Sequence, residues 1–170
     1  MQATDRTAAH SAALYTPEER ERRDATRWTL VQGILAPLQF LVFLISLVLV
    51  VNYLSNGSGL DAAVASVILK TLILYTIMVT GAIWEKEVFG QYLFAPAFFW
   101  EDVVSMAVIA LHTAYLACWL LGFGSPEQQL WIALAAYATY VVNAAQFLLK
   151  LQAARREDPG DAIGFQGAME

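Results

Sequence analysis

The stretch WTLVQGILAPLQFLVFLISLVLVVNYL, Trp28–Leu54, carries no charged residue. As a helix it is long enough to cross a bilayer, which takes about 20 mostly apolar residues. Three further apolar stretches of spanning length follow, at Ala62–Trp84, Val103–Leu121 and Leu130–Leu151. The fold expected is all-α, an integral membrane four-helix bundle. Composition agrees, with 58% of the 170 residues hydrophobic and 15% charged, against roughly 45–50% and about 25% in soluble domains. That balance excludes an ordinary soluble enzyme. One cysteine, Cys118, excludes an intramolecular disulfide framework and any CxxC metal site. Ten Lys+Arg against fifteen Asp+Glu, a net charge of -5, leave no broad basic surface for nucleic acid.

Outward from the first span, the punctuation fits. Asn56-Gly57-Ser58-Gly59 is a turn sequence, and Gly122–Glu127 joins helix-ending glycines to a new start. There Ser125 is a cap, Pro126 the first helical residue and Gln128 the closing member of a capping box. Thr16-Pro17-Glu18-Glu19 repeats that grammar and predicts a short charged helix running into the first span. Residues 1–27 lack an apolar core followed by a small-residue cleavage site, so a removable signal peptide is not expected. Three parts result: a cytoplasmic N-terminal segment at 1–27, a membrane domain at 28–151, and a solvated, poorly ordered cytoplasmic tail at 152–170.

The flanks fix the orientation. Arg6, Arg20, Arg22, Arg23 and Arg27 precede the first span, Lys86 lies between the second and third, and Lys150, Arg155 and Arg156 close the fourth. Loops 55–61 and 122–129 hold no Lys or Arg. By the positive-inside rule both termini and the 85–102 connection are cytoplasmic. The remaining basic residue, Lys70, lies inside the second span.

Helices in lipid gain little from burying Leu on Leu, so polar and small residues mark the inward faces. Gln32, Gln39, Ser46 and Tyr53 form one stripe, and Pro37 frees the Gly33 carbonyl and permits a kink. Thr71, Tyr75, Met78 and Glu85 form a second, and Glu101, Ser105, His112, Tyr115 and Trp119 a third. Thr139, Asn143, Gln146 and Lys150 form the fourth. Gln32, Gln39, Thr71 and Thr139 read as interhelical glue, worth roughly 0.6–2 kcal/mol each. Lys70 and His112 are more expensive, since a charge at mid-bilayer costs on the order of 3 kcal/mol. Each calls for a partner or a cavity; Lys70 could instead snorkel or pair structurally, and His112 could be a satisfied structural residue.

The connection from Trp84 to Asp102 is crowded with aromatic residues and carries four acids, Glu85, Glu87, Glu101 and Asp102. Its apolar part is too short to cross, so it belongs at the interface, either as an ordinary aromatic belt or as a cradle for a flat apolar ligand. Glu85 stands near the carboxyl end of the second helix, where the macrodipole disfavours an anion. Glu101 and Asp102 stand at the amino end of the third, where it favours one. Oppositely biased carboxyls suit acid–base work, although Lys86 could neutralise Glu85 and either of the other two could merely cap a helix.

LYTPE (Leu14–Glu18) with RRD (Arg22–Asp24), WTLVQG (Trp28–Gly33), YTIMVTG (Tyr75–Gly81), WEK (Trp84–Lys86), FAPAFFWED (Phe94–Asp102), LHTAY (Leu111–Tyr115) and YVVNA (Tyr140–Ala144) occur in that order. Together they resemble the 3-vinyl (in older numbering 2-vinyl) bacteriochlorophyllide hydratase family, from about Leu14 to Leu151. The long loop block is specific; the Leu/Val-rich spans alone would not be. The resemblance implies a membrane hydro-lyase of bacteriochlorophyll synthesis in the inner, cytoplasmic or intracytoplasmic photosynthetic, membrane of a bacterium. It would add water to the C3-vinyl group of chlorophyllide a or a related (bacterio)chlorophyllide, giving the 3-(1-hydroxyethyl) product.

That chemistry needs a proton on the terminal CH2, a cation delocalised into the macrocycle and attack by water, with no redox cofactor. Magnesium would arrive as part of the substrate. Glu85 or His112 is the candidate acid, and Glu101 or Asp102 the candidate group that orients and deprotonates water. Trp84, Phe94, Phe98, Phe99 and Trp100 would hold the ring, and Tyr75, Asn143, Gln146 and Lys70 complete the candidate substrate-binding set. His112 is the candidate axial ligand to the substrate magnesium, with Asn143 and Gln146 as alternatives. Two other classes fit the residues alone: a non-catalytic pigment carrier or assembly factor, and a proton-coupled transporter or quinone-site protein using Lys70, His112 and Glu85. Four helices are narrow for a macrocycle, which leaves a homodimer, or association with other enzymes of the same synthesis, open.

Overall fold

In the computed structural model, which describes residues 14–156, the chain opens with a capping box. The Thr16 hydroxyl accepts from the Glu19 N–H at 3.2 Å, and the Glu19 carboxylate accepts from the Thr16 N–H at 2.8 Å. This starts α1, Pro17–Ala25. The helix does not run into the first span as expected. Thr26 is extended (φ -78°, ψ 138°) and its hydroxyl accepts from the Trp28 N–H, so one residue both ends α1 and caps α2, Arg27–Asn56. A side-chain oxygen that competes for a backbone N–H is what makes threonine a helix boundary. Arg6 and the tail from 157 onward lie outside the described residues.

After α2 come α3, Leu60–Phe89, α4, Phe99–Leu121, and α5, Pro126–Arg156. Ser125 and Gln128 close the expected box, Ser125 donating its N–H to the Gln128 side chain at 2.9 Å and accepting the Gln128 N–H at 3.2 Å. Among the described residues there is no strand, and four helices are long and apolar enough to cross a membrane. The 30 residues of α3 reach about 45 Å at 1.5 Å per residue, against a hydrocarbon core of about 30 Å. The surplus carries Glu85–Phe89 as helix past the expected end at Trp84. At the other side of the loop α4 begins at Phe99, so Glu101 and Asp102 fall in its first turn.

The spans form two antiparallel hairpins, α2 with α3 and α4 with α5, laid side by side so that α2 also touches α5 and α3 touches α4. Phe43, Val67, Leu74, Val108, Tyr115, Ala133 and Tyr137 are among the residues that fill the centre. Ser46 joins Ser66 at 2.7 Å and Tyr137 at 2.5 Å through hydroxyl bonds. A second cluster, Tyr15, Val88 and Phe98 with Trp84 and Phe89, closes the end that carries α1 and the loop before α4.

Most inward stripes are as read from the sequence, with Gln39, Ser46, Thr71, Glu85, Glu101, Ser105, His112, Tyr115 and Asn143 all buried. Trp119 is the exception: it is 40% exposed, because in the last turn of α4 it faces a groove with the start of α3 instead of the bundle core. The glue reading also needs correction. Gln32 does cross, donating to Thr80 on α3 at 2.7 Å, and it is flanked by Trp84 to Thr29 at 2.9 Å and by Thr26 to Glu87. Thr71 and Thr139 instead return their hydroxyls to Val67 and Ala135, four residues back in their own helices. A hydroxyl on a short stem reaches its own preceding turn before it reaches a neighbouring helix.

Replacing Gln32 with Leu is therefore expected to cost about 1 kcal/mol, whereas Thr139→Val stays within about 0.5 kcal/mol of the parent. Thermal unfolding in lipid nanodiscs reads both. Equal effects for the two variants would contradict this ladder.

Candidate active site

A nine-residue step from Gly90 to Phe98 joins α3 to α4, and its fold is set by two carboxylates. Gly90 ends α3 in the left-handed region at φ 84°, where the lack of a Cβ removes the strain. Phe94 has no such licence, yet it stands at φ 60°. For a bulky residue that conformation costs roughly 1–2 kcal/mol. It is held there because the Phe94 N–H donates to Asp102 Oδ2 at 2.6 Å, and the next N–H, of Ala95, donates to Glu85 Oε2 at 3.3 Å. Phe98 closes the turn by donating its N–H to the Ala95 carbonyl at 2.8 Å. One strained dipeptide thus gives its two consecutive donors to acids on two different helices.

Both acids are buried, Glu85 at 5% exposure and Asp102 at 3%, and their carboxyls hydrogen-bond each other. Two touching carboxylates cannot both be ionised at low cost. The pair therefore holds one proton and titrates as a unit. Asp102 accepts from the loop and from Glu85 instead of capping its own helix, whose first residues receive no side-chain cap from Phe98. Simple capping is thereby removed as an account of Asp102. Lys86 does not neutralise Glu85 either; its ammonium donates to the Gly90 carbonyl at 2.7 Å and lies over the Tyr92 ring.

Glu101, one residue from Asp102, is engaged differently. Its carboxylate receives the Lys150 ammonium at 2.7 Å, and Lys150 also donates to the Ala97 carbonyl and lies 5.0 Å from the Phe98 ring centroid. Lys150 was legible as the last member of the α5 stripe but was not read as a site residue, because nothing in a single sequence says which span α5 faces. Tyr15 was missed too: it stacks on Phe89 at 5.7 Å and packs against Phe98. Burial pushes the Tyr15 phenol up to about 12, against the pull of the Arg23 guanidinium 4.9 Å from its ring centroid.

The aromatic set divides. Phe98 is buried and Trp84 half-buried, edge-on to each other at 5.7 Å, both committed to the closing cluster. Phe94, Phe99 and Trp100 face outward, at 39%, 44% and 68% exposure, in a run of ring contacts 5.8 and 5.4 Å apart. The structure does not bring the other candidates to this place. His112 lies ten residues along α4 from Asp102, about 15 Å, with its Nδ1 donating to the Val108 carbonyl at 2.8 Å. Tyr75 is equally far from Glu85 along α3 and bonds Thr113 at 2.7 Å. Lys70, fully buried, is further still, its ammonium 4.0 Å from the Tyr140 ring centroid. Asn143 donates to Ser105 at 2.8 Å, and Gln146 lies between it and Lys150 on α5.

A family model described as 2-vinyl bacteriochlorophyllide hydratase matches residues 15–153. The chain is 70% identical to the 2-vinyl bacteriochlorophyllide hydratase of Cereibacter sphaeroides over 156 residues, 91% of this chain and 96% of that one. It is 69% identical to the protein of the same name from Rhodobacter capsulatus over 153 residues, 89% and 88% of the two chains. No solved structure matches it.

Removing one partner of the Lys150–Glu101 pair strands a charge that is largely buried. Lys150→Met and Glu101→Gln should each lower the thermal midpoint, and the double variant should lose less than their sum, with a coupling of about 1–3 kcal/mol. Strict additivity would mean that the pair is not energetically linked.

Proposed function

Since the chain belongs to the 2-vinyl bacteriochlorophyllide hydratase family and is a hydratase of bacteriochlorophyll synthesis, we propose that the vinyl group is hydrated at the Glu85–Asp102 pair. The observation that carries this reading is the contact of these two buried carboxyls across the α3–α4 junction, with one loop donor on each. The α3 carboxyl terminus favours the neutral acid at Glu85, and the α4 amino terminus favours the carboxylate at Asp102. Donor and acceptor are then separated in a small space.

The steps balance without any redox partner. Glu85 gives its proton to the terminal CH2, which becomes CH3, and the positive charge on the inner carbon spreads into the macrocycle. The oxygen of a water molecule held by Asp102 bonds to that carbon, and its surplus proton passes to Asp102. Transfer across the carboxyl–carboxyl hydrogen bond returns the proton to Glu85, and the 3-(1-hydroxyethyl) product leaves. The developing cation is further favoured by the net negative charge of the pair after Glu85 has donated. Glu101 acts as a positioning residue, because its ion pair with Lys150 holds the Ala97 end of the loop.

Phe94, Phe99 and Trp100 form the outward platform for the flat substrate, and Trp84 and Phe98 support them from behind. The substrate's magnesium enters with it, and the chemistry calls on no other cofactor. The surplus of Lys and Arg at this end of the bundle supports placing it, with both termini, at the cytoplasmic face of the inner membrane.

Glu85→Gln and Asp102→Asn keep an acceptor for the loop N–H groups but cannot exchange the proton. Each should lower turnover of vinyl chlorophyllide by about 10²-fold or more, followed as loss of the vinyl pigment and gain of the more polar product. Wild-type rates in both variants would remove the assignment.

A further inference from the structure

Away from the carboxyl pair, the bundle interior holds six side chains with a buried polar atom that has no hydrogen-bond partner among the described residues. These are Gln39 Oε1, Lys70 Nζ, His112 Nε2, Tyr115 Oη, Asn143 Oδ1 and Gln146 Oε1. Native interiors leave few such atoms, and each unmade bond costs about 1–3 kcal/mol. Lys70 lies over the Tyr140 ring, 4.0 Å from its centroid, but the three amide oxygens and the imidazole nitrogen have no such substitute.

Their chemistry is complementary. A carbonyl oxygen can only accept, so His112 must donate from Nδ1 to Val108, which leaves Nε2 of the neutral ring as an acceptor. The oxygens of Gln39, Asn143 and Gln146 are acceptors as well. Lys70 brings three N–H donors and Tyr115 one O–H. Donors and acceptors are thus both present, but none comes within direct bonding distance of another. Polar groups that match but stand too far apart are the setting in which water bridges.

Their placement is also ordered. On α5, Asn143 and Gln146 lead in steps of three and four residues to Lys150, roughly 5–6 Å each. On α4, His112 leads through Ser105, which already bonds Asn143, to Glu101 and Asp102. The polar groups of α4 and α5 thus reach the end of the bundle that holds the carboxyl pair, where the reaction consumes one water per turnover.

We propose that this interior binds a file of water molecules, held by Gln39, Lys70, His112, Tyr115, Asn143 and Gln146, that supplies water to the Glu85–Asp102 site. The pathway rests on the hydration site proposed above, but the bound water is a property of the bundle whether or not those acids act. It gives the two mid-bundle residues, Lys70 and His112, a task that leaves them far from the reacting vinyl group.

Brief X-ray radiolysis of the reconstituted protein, read by mass spectrometry, tests it without reference to activity, because hydroxyl radicals made in place oxidise a buried ring only where water lies against it. Tyr115 is fully buried, so its oxidation in the wild-type protein well above that of an unirradiated sample is the expected result. Gln146→Leu, which removes the holding group nearest the site, should reduce kcat with little change in KM. In a dry core the same substitution would remove an unsatisfied atom, raise the thermal midpoint and leave kcat unchanged. Absence of Tyr115 oxidation in the wild-type protein, or that pattern in the variant, overturns the proposal. Tyr115 oxidation together with full activity of Glu85→Gln and Asp102→Asn would keep the water file and reject the catalytic pair.

Discussion

Two acids from different helices meet around one short loop, and the rest of this end of the bundle follows from that meeting. Carboxyls this close repel when both are charged, and both are buried from bulk solvent. What holds them together is the pair of consecutive N–H groups of Phe94 and Ala95, each aimed at a different carboxyl. The arrangement is reciprocal. The loop needs both acids to keep Phe94 in a left-handed conformation, and the acids need the loop donors and a shared proton to stay in contact. A loop built this way stores conformational strain, as functional loops commonly do.

The surrounding packing makes that strain sustainable. Tyr15 and Phe89 stack, Trp84 and Phe98 meet edge to face, and Lys150 ties the Ala97 carbonyl to Glu101. The ladder of Thr26, Thr29 and Gln32 against Glu87, Trp84 and Thr80 fixes the height of α3 relative to α2. Because α3 continues to Phe89, Glu85 is rigidly presented on a helix and not on a loop. A flexible loop carrying the same acid could not hold it against Asp102.

Much of this was legible in the chain. The uncharged run at Trp28–Leu54, the capping grammar of Thr16 and Ser125, and the polar stripes rest on local rules of length and period, which survive into the folded state. The places of Glu85 in the last turns of α3 and of Asp102 at the start of α4 follow from helix ends, which are likewise local. Three things were not local. Thr26 splits α1 from α2 with a hydroxyl that also donates to Glu87 on α3, 61 residues away. Phe94 adopts a backbone conformation that points to glycine or asparagine in any sequence reading, and only the two carboxyls explain it. Lys150 and Glu101 are 49 residues apart and meet because α4 and α5 form a hairpin with a specific rotation.

The division of the aromatic residues shows the same limit from another side. Phe98 and Phe99 are neighbours of identical type, yet one is buried and the other 44% exposed. The difference arises because Phe98 still belongs to the turn and folds back on Tyr15 and Trp84, whereas Phe99 is the first residue of α4 and projects away from the bundle. Composition alone makes both of them belt residues. Once the helix start is known, they separate into a support and a platform, and the platform borders the only stretch where α3 and α4 are joined by unwound backbone. In the reading proposed above, a planar pigment rests on Phe94, Phe99 and Trp100 with its vinyl edge toward the two acids and stays outside the bundle core.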